Sequence, residues 1–100
     1  MENKILILNE IGDRIRKVRI ESGLSQEVLA QLADLDRSYY GGIERGERNL
    51  SAINLVKIAS ALGREVGDLF PPIEELKNLL WYKNPQILSV KYFSKKNNST

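Results

Sequence analysis

The sequence contains no cysteine and no histidine, and each absence excludes a class of chemistry. Without cysteine there are no disulfides, no thiolate metal ligands and no thiol nucleophile, and without histidine the commonest general base is missing. An enzyme would have to work with Asp, Glu, Lys, Ser and Tyr alone, and neither paired carboxylates nor a phosphate-cradling glycine loop is found. We therefore expect no enzyme activity, no cofactor and no metal site.

The chain also has no long apolar run. Its longest uninterrupted aliphatic stretch covers residues 5–8, whereas a membrane-spanning helix needs roughly 20 apolar residues. The opening residues Met1 to Lys4 are a poor start for a secretory signal. These two features predict a soluble, cytoplasmic protein with no membrane partner.

A large excess of one charge is missing as well. The 15 Lys and Arg nearly balance the 13 Asp and Glu, which leaves a net charge of +2 over 100 residues. Any affinity for phosphate must therefore come from where the basic side chains are placed and not from bulk charge. A chain of this length is enough to bury one core, of about four or five helices, but not a second.

Three helices are predicted from a repeated N-terminal pattern. Ser25, Asp36 and Ser51 are favourable N-cap residues, and each lies between two apolar residues at the spacing of a hydrophobic staple. The apolar pairs are Leu24 with Leu29, Leu35 with Tyr40, and Leu50 with Leu55. The helices predicted in this way cover residues 26–33, 37–45 and 52–62.

A first amphipathic helix is predicted over residues 10–22. Apolar residues recur at helical spacing from Ile11 to Val18 among charged residues, and Gly23 follows as a C-terminal stop. The aliphatic residues 4–8 before it have two interpretations, an early turn of this helix or a strand.

The connection between the second and third helices is very short, because only Asp34 and Leu35 separate them. Aspartate is one of the few residues besides glycine that tolerates the left-handed backbone conformation which so tight a turn needs. The sequence therefore predicts two short helices joined at a sharp angle.

The compact unit is expected to span residues 10–70, with residues 1–9 as an arm or a helix start. A short fifth helix over Glu65–Phe70 is predicted to stop at Pro71-Pro72, because proline lacks the N–H donor and disfavours helix in the residue before it. We expect an all-α fold, a compact five-helix domain with a C-terminal extension. Within that extension, residues 73–82 carry a helical apolar stripe, residues 87–93 resemble a strand that could pair with residues 4–8, and residues 94–100 are expected to be disordered.

Two short helices at a sharp angle, the second beginning Arg37-Ser38-Tyr39, are the parts of a helix-turn-helix. Four ordered motifs add a family resemblance: Ser-Gln-Glu-Val-Leu-Ala at 25–30, Ile-Glu-Arg-Gly at 43–46, Ile-Ala-Ser-Ala-Leu-Gly at 58–63 and Asp-Leu-Phe at 68–70. Over about residues 10–70 the sequence resembles the Xre/Cro type of phage-repressor DNA-binding domain. Residues 35–49 are similar to the controller proteins of restriction-modification systems, which are small dimeric transcription regulators.

The resemblance implies a sequence-specific transcription regulator that binds double-stranded DNA in the nucleoid. A homodimer would bind a palindromic operator whose half-sites lie about 34 to 36 Å apart, or a multiple of that distance. RNA polymerase is a further partner if the protein activates transcription. The alternative is a protein-interaction module of the antitoxin type, whose residues 71–100 mask a toxin-like protein while the helix-turn-helix controls their operon.

The base-reading candidates open the second helix of the pair, where side chains meet base edges in the major groove. Arg37 carries a planar fork that can bond both acceptors of a guanine, which is worth about 1 to 3 kcal/mol of discrimination. Ser38 can exchange hydrogen bonds with a base or a phosphate. The ring of Tyr39 can contact a thymine methyl group while its hydroxyl reaches a phosphate. We expect these three side chains to point outward, and the resemblance adds Arg48, which matches an arginine that controllers use to contact DNA.

Four residues are candidates for phosphate contacts. Gln26, the first residue of its helix, can bond a phosphate beside the free backbone amides at that positive helix end. Arg45 and Asn49 lie at the end of the reading helix and in the loop after it, and Lys17 lies on the first helix. The alternative for each is an ordinary solvated side chain.

Two features of the third helix are structural. The resemblance implies that Arg19 pairs with Glu44 and so joins the first helix to the third. Gly41-Gly42 is unexpected inside this helix, because each glycine costs about 1 kcal/mol relative to alanine. Either the bare backbone approaches DNA or the preceding helix closely, or the packing here is loose, and Gly42 itself has no side chain with which to read a base.

A dimer surface is expected where apolar residues follow the compact unit, since that unit alone would leave them exposed. The predicted interface consists of Leu69, Phe70, Ile73, Leu76 and Leu80. The alternative is that the extension folds back and forms part of the monomer core.

Overall fold

The computed structural model of the protein describes residues 2–81. Its elements are α1 (Glu2–Glu21), α2 (Gln26–Leu32), α3 (Arg37–Glu44), α4 (Ala52–Leu62), a 3-10 helix (Val66–Leu69) and α5 (Ile73–Trp81). No strand occurs in this part of the chain, and the predicted all-α class is confirmed. None of the helices within residues 2–81 is long and apolar enough to cross a membrane.

The three predicted N-caps are present and fix where the middle helices begin. Ser25 Oγ accepts the backbone N–H of Val28 at 3.1 Å, and Asp36 Oδ2 accepts that of Tyr39 at 3.0 Å. Ser51 Oγ likewise accepts the N–H of Asn54 at 3.1 Å. Each bond satisfies one of the donors that the first turn of a helix leaves without a partner.

The turn between α2 and α3 has the predicted left-handed residue. Asp34 has a φ of 56°, and among the described residues it is the only non-glycine with a positive φ. The N–H of Leu35 then bonds the carbonyl of Ala30 at 2.8 Å and closes the turn. This turn joins α2 directly to α3, which packs against both α1 and α2.

The core forms where the apolar faces of the helices meet. Its buried members are Ile15, Val18, Leu29, Ala30, Ala33, Tyr40, Ile43, Ile58, Ala59, Leu62 and Leu69. The staple residues Leu24, Leu35, Leu50 and Leu55 pack against this cluster and remain partly exposed. Because α3 contributes Tyr40 and Ile43 to the core, the opposite side of α3 is left at the surface.

The first helix is longer than predicted, because α1 begins at Glu2 instead of residue 10. Residues 4–8 are therefore its early turns, and their proposed pairing as a strand is wrong. Ile7 and Leu8 in these early turns are half-buried, and α1 as a whole packs against both α3 and α5. Residues 87–93 and 94–100, predicted as a strand and a disordered tail, lie outside the described residues.

The predicted fifth helix is a 3-10 helix, Val66–Leu69, followed by a bend at Phe70 before Pro71. Leu69 is 0% exposed, because this segment packs against α1 and α4. The helix predicted over residues 73–82 is α5, and its Leu76 is also buried.

Two of the residues expected at the dimer surface are not exposed, so the premise on which they were chosen is wrong for them. Leu69 and Leu76 are covered within one chain, because the 3-10 helix and α5 fold back onto α1, as the alternative interpretation held. Ile73 and Leu80 remain 65% and 38% exposed, and Phe70 is half-buried.

Candidate nucleic-acid interface

The outer side of α3 begins with two exposed polar side chains. Arg37 and Ser38 follow the Asp36 cap directly and are exposed, as predicted. The Arg37 guanidinium makes no hydrogen bond or ion pair to any residue of the described chain. Both side chains are therefore available to a ligand that approaches the N-terminal end of α3.

Tyr39 is only partly exposed, and the structure gives its hydroxyl a role inside the protein. The hydroxyl donates to the carbonyl oxygen of Asn49 at 3.1 Å and accepts a bond from the side-chain amide of Asn54 at 3.0 Å. Tyr39 thus connects α3 to the following loop and to α4, and its single proton is already donated. The ring contact with a thymine methyl group stays a prediction.

Asn54 was missed from the sequence. The only signal was a polar residue in the first turn of a mainly apolar helix, which by itself does not indicate Tyr39 as its acceptor. Tyr40, by contrast, points inward as its staple position predicted, and it is fully buried.

Gly41 is the point where three polar side chains converge. A Cβ atom at this position would lie 2.9 Å from Arg37 Nη1, 3.1 Å from Arg45 Nη1 and 3.8 Å from Gln26 Oε1. The absence of a side chain lets both guanidinium groups and the amide of α2 lie over the bare backbone of α3. The structure therefore brings three of the predicted DNA-contacting residues together.

Gly42 lies beneath a third arginine. A Cβ atom here would lie 2.8 Å from Arg48 Cγ, 3.5 Å from Nε and 3.8 Å from Cδ. Arg48 follows α3 in the loop, and it folds back along the helix so that its aliphatic stem covers Gly42. Three arginines, Arg37, Arg45 and Arg48, thus surround the exposed side of α3.

The positive charge of this surface is partly offset. Arg45 Nε donates to Glu47 Oε2 at 2.9 Å, and both side chains are more than half exposed. The hydrogen bond from Arg45 lowers the pKa of Glu47 and so favours the ionised form of this carboxylate. Arg37 and Arg48 form no such salt bridge to a carboxylate within the described residues.

Glu44, the last residue of α3, is the buried end of the site. Arg19 donates to it from Nε at 2.6 Å and from Nη2 at 3.1 Å, so the ion pair predicted between α1 and α3 is present. Tyr40 donates its hydroxyl to the same carboxylate. Burial alone would raise the pKa of Glu44, but the bonds from Arg19, Tyr40 and Gln26 outweigh burial and lower it.

Gln26 is therefore not a simple surface residue. Its Nε2 donates to Glu44 Oε1 at 2.7 Å and ties α2 to α3. One amide N–H and the carbonyl oxygen of the side chain are left for other contacts. A phosphate contact through these groups, or through the backbone amides that begin α2, stays a prediction.

Lys17 is the candidate that the structure does not bring to α3. Its Nζ lies 3.3 Å from Asp13 Oδ2 on α1, and it lines a groove with Phe70 and Ile73 near the start of α5. It therefore belongs to a different side of the molecule from Arg37 and Arg48.

Comparison with known proteins adds to this geometry. A family model described as helix-turn-helix matches residues 15–69, more than half of the chain. The chain belongs to the helix-turn-helix family. The paired helices are α2 and α3, and the second helix of such a pair is called the recognition helix because in DNA complexes of this motif its first residues face base edges.

The relatives of this helix-turn-helix protein include restriction-modification controllers. The control protein C.MunI from a Mycoplasma species is 48% identical over 65 residues, covering 64% of this chain and 88% of the relative. The crystal structure of the controller protein C.AhdI from Aeromonas hydrophila is 54% identical with a TM-score of 0.62, covering 63% of this chain and 96% of that one. The structure of C.Esp1396I bound to a 25 base pair operator site is 35% identical with a TM-score of 0.59, covering 74% and 93%.

Proposed function

We propose that the protein is a sequence-specific transcription regulator that binds operator DNA as a homodimer and controls the genes of a restriction-modification system. One observation carries the proposal: the exposed first turn of α3 presents Arg37 and Ser38, and Arg45 and Arg48 lie along the same side of that helix. A helix with this arrangement fits the major groove, where its first residues reach bases and flanking arginines reach phosphates.

The relatives support this function. The controllers C.MunI and C.AhdI are matched over 88% and 96% of their own lengths, so their resemblance to this chain is not confined to one motif. C.Esp1396I is described bound to an operator. The control proteins C.MunI and C.BamHI are among the relatives, which supports a regulatory role on DNA.

Base reading is assigned to the residues around the start of α3 and to the loop after it. The free fork of Arg37 can donate to O6 and N7 of one guanine, and Ser38 can bond a neighbouring base or phosphate. Arg48 adds a second guanidinium, and the ring of Tyr39 adds an apolar contact. Phosphate contacts are assigned to Arg45, the loop residue Asn49 and the start of α2 at Gln26.

Dimerisation is assigned to the exposed apolar residues at the C-terminal side of the described fold. Ile73 and Leu80 on α5 are large and exposed. Phe70, which is half-buried, comes three residues before Ile73 in the chain. A two-fold dimer uses the same patch twice, so these residues would meet their own copies. Two recognition helices would then contact half-sites about 34 to 36 Å apart, or a multiple of that distance.

The test is a selection of duplexes from a random pool by the wild-type protein, followed by affinity measurements at two salt concentrations. We expect one enriched palindromic sequence, and Arg37→Ala should lose the preference for a base pair in each half-site. Asp13→Asn, a change on the side of α1 away from α3, should keep the wild-type preference. Equal affinity of the wild type for every duplex would contradict the proposal.

A further inference from the structure

The pair Gly41-Gly42 stands in the middle of the recognition helix, where glycine is a poor helix former and alanine the best. Its backbone conformation does not require glycine, because among the described residues positive φ angles occur only at Gly23, Gly46, Gly63 and Asp34. Both Gly41 and Gly42 lie on the side of α3 that faces away from the core, and they are nevertheless buried. The reason for glycine must therefore lie in what covers these two positions.

Arg48 covers Gly42 because the chain reverses at the end of α3. Gly46 has a φ of 74°, and the N–H of Glu47 bonds the carbonyl of Gly42 at 2.8 Å while the N–H of Gly46 bonds that of Ile43 at 3.1 Å. These two bonds form a Schellman motif, which ends a helix and turns the chain back. The residue that follows the motif, Arg48, is thereby directed along the side of α3.

The contact at Gly42 involves the root of the arginine side chain. A Cβ atom at position 42 would come within 2.8 Å of Arg48 Cγ, and Cγ is only two bonds from the Arg48 backbone. Moving the tip of the side chain cannot relieve such a clash, so Arg48 would have to change its first rotamer or the loop would have to shift.

We propose that Gly42 is a positioning residue for DNA specificity, which acts by seating the stem of Arg48 on the bare backbone of α3. This inference rests on the proposed function of α3 as a recognition helix. The Arg48 guanidinium makes no hydrogen bond within residues 2–81, although Glu47 attracts its charge. The packed stem is therefore the contact that fixes the course of the side chain along α3. A seated stem loses less conformational freedom when the guanidinium binds, which strengthens binding through preorganisation.

Gly41 offers a matched control in the same helix. Its nearest neighbours are Nη1 of Arg37 and Nη1 of Arg45, at 2.9 and 3.1 Å from a Cβ atom. These atoms are the far ends of long, flexible side chains, which can move aside at little cost. An added methyl group at position 41 therefore favours helix as much as one at position 42 but leaves the root of Arg48 in place.

The experiment uses the duplex that the wild type selects and compares Gly42→Ala, Gly41→Ala, Arg48→Ala and the double variant Gly42→Ala with Arg48→Ala. Gly42→Ala should weaken binding about fivefold or more, the lower bound for losing one specific base contact. Gly41→Ala, which displaces only the ends of Arg37 and Arg45, should keep the base preference that Arg48 supplies. A selection repeated with Gly42→Ala should lose the same base preference as Arg48→Ala. Circular dichroism should show that both alanine variants fold with the helix content of the wild type, so that a loss of binding is not a loss of fold.

The double variant separates this mechanism from a direct clash of the new methyl group with DNA. If Gly42 acts through Arg48, adding Gly42→Ala to Arg48→Ala should change affinity by less than about twofold. An equal loss in both backgrounds, or no loss in the wild-type background, would overturn the inference and leave the proposed function intact. Failure of the wild type to select any sequence would overturn both.

Discussion

The guanidinium of Arg19 and the carboxylate of Glu44 form a buried, two-point ion pair between α1 and the last residue of the recognition helix. The two bonds measure 2.6 and 3.1 Å, and the residues are 8% and 7% exposed. Arg19 also donates from Nη1 to the carbonyl of Leu24 at 2.8 Å. One side chain thus holds the loop before α2 and the end of α3 together, so the orientation of α3 depends on this pair.

Glu44→Gln should lower the free energy of unfolding by about 3 to 5 kcal/mol, because it leaves the Arg19 charge buried without a counter-charge. Chemical denaturation monitored by circular dichroism measures this loss. Asp13→Asn is the control, because it breaks the ion pair with Lys17 at the surface. The side chains of Lys17 and Asp13 are 63% and 54% exposed, so this change should cost about 0 to 1 kcal/mol. Equal losses in the two variants would show that the Arg19 pair does not stabilise the fold.

Stability should fall in acid partly through Glu44. Its pKa is lowered in the folded protein, because hydrogen bonds from Arg19, Tyr40 and Gln26 outweigh the cost of burial. Glu44 therefore binds a proton more readily in the unfolded chain than in the folded protein. The stability that Glu44 contributes is complete above its unfolded pKa of about 4.3. This stability is lost as the pH falls through the lower pKa of the folded state. Urea unfolding at pH 7 and pH 3 should show a larger loss for the wild type than for Glu44→Gln. Parallel pH dependences of the two proteins would count against this assignment.

Leu69 and Ile73 should respond to truncation in opposite ways. Leu69→Ala removes a fully buried core side chain and should lower the free energy of unfolding by about 2 to 5 kcal/mol. Ile73→Ala removes an exposed side chain and should leave the stability of the monomer nearly unchanged while it weakens the dimer. Denaturation and sedimentation at several protein concentrations measure the two effects. A wild type that sediments as a monomer with and without DNA would contradict the proposed dimer.

Asp34 should tolerate glycine better than alanine. Its φ of 56° lies in the left-handed region, where a Cβ atom costs about 1 to 2 kcal/mol and aspartate is less penalised than alanine. Asp34→Ala should therefore be less stable than Asp34→Gly in thermal unfolding. Gln31→Ala on the exposed side of α2 is the control for alanine, and it should be close to neutral. If Asp34→Ala proved the more stable variant, the left-handed turn would be refuted.

Local features of the fold were predictable because a few neighbouring residues decide them. The caps at Ser25, Asp36 and Ser51 bond amides three residues later, and α4 has the predicted limits of Ala52 and Leu62. The left-handed turn at Asp34 likewise follows from its residue type and the short connection. The exposure of Arg37 and Ser38 followed once the staple had placed Tyr40 inward.

Contacts between distant elements were less accessible from the sequence. The sequence does not show that the Tyr39 hydroxyl bonds Asn49 and Asn54, because these contacts depend on how α3, the following loop and α4 lie relative to one another. Lys17 carries the charge of a DNA-binding residue, but the direction of α1 places it on another side of the molecule.

The sequence by itself determined where the helices begin, which of them form the helix-turn-helix and which residues open its recognition helix, because caps, turns and apolar spacing act over a few residues. Only the tertiary structure decided that Leu69 belongs to the core and that Arg48 lies over Gly42. Those placements depend on the angles at which helices pack and on how the chain returns after α3. Such angles arise from the combined packing of many side chains, which no short segment of sequence specifies.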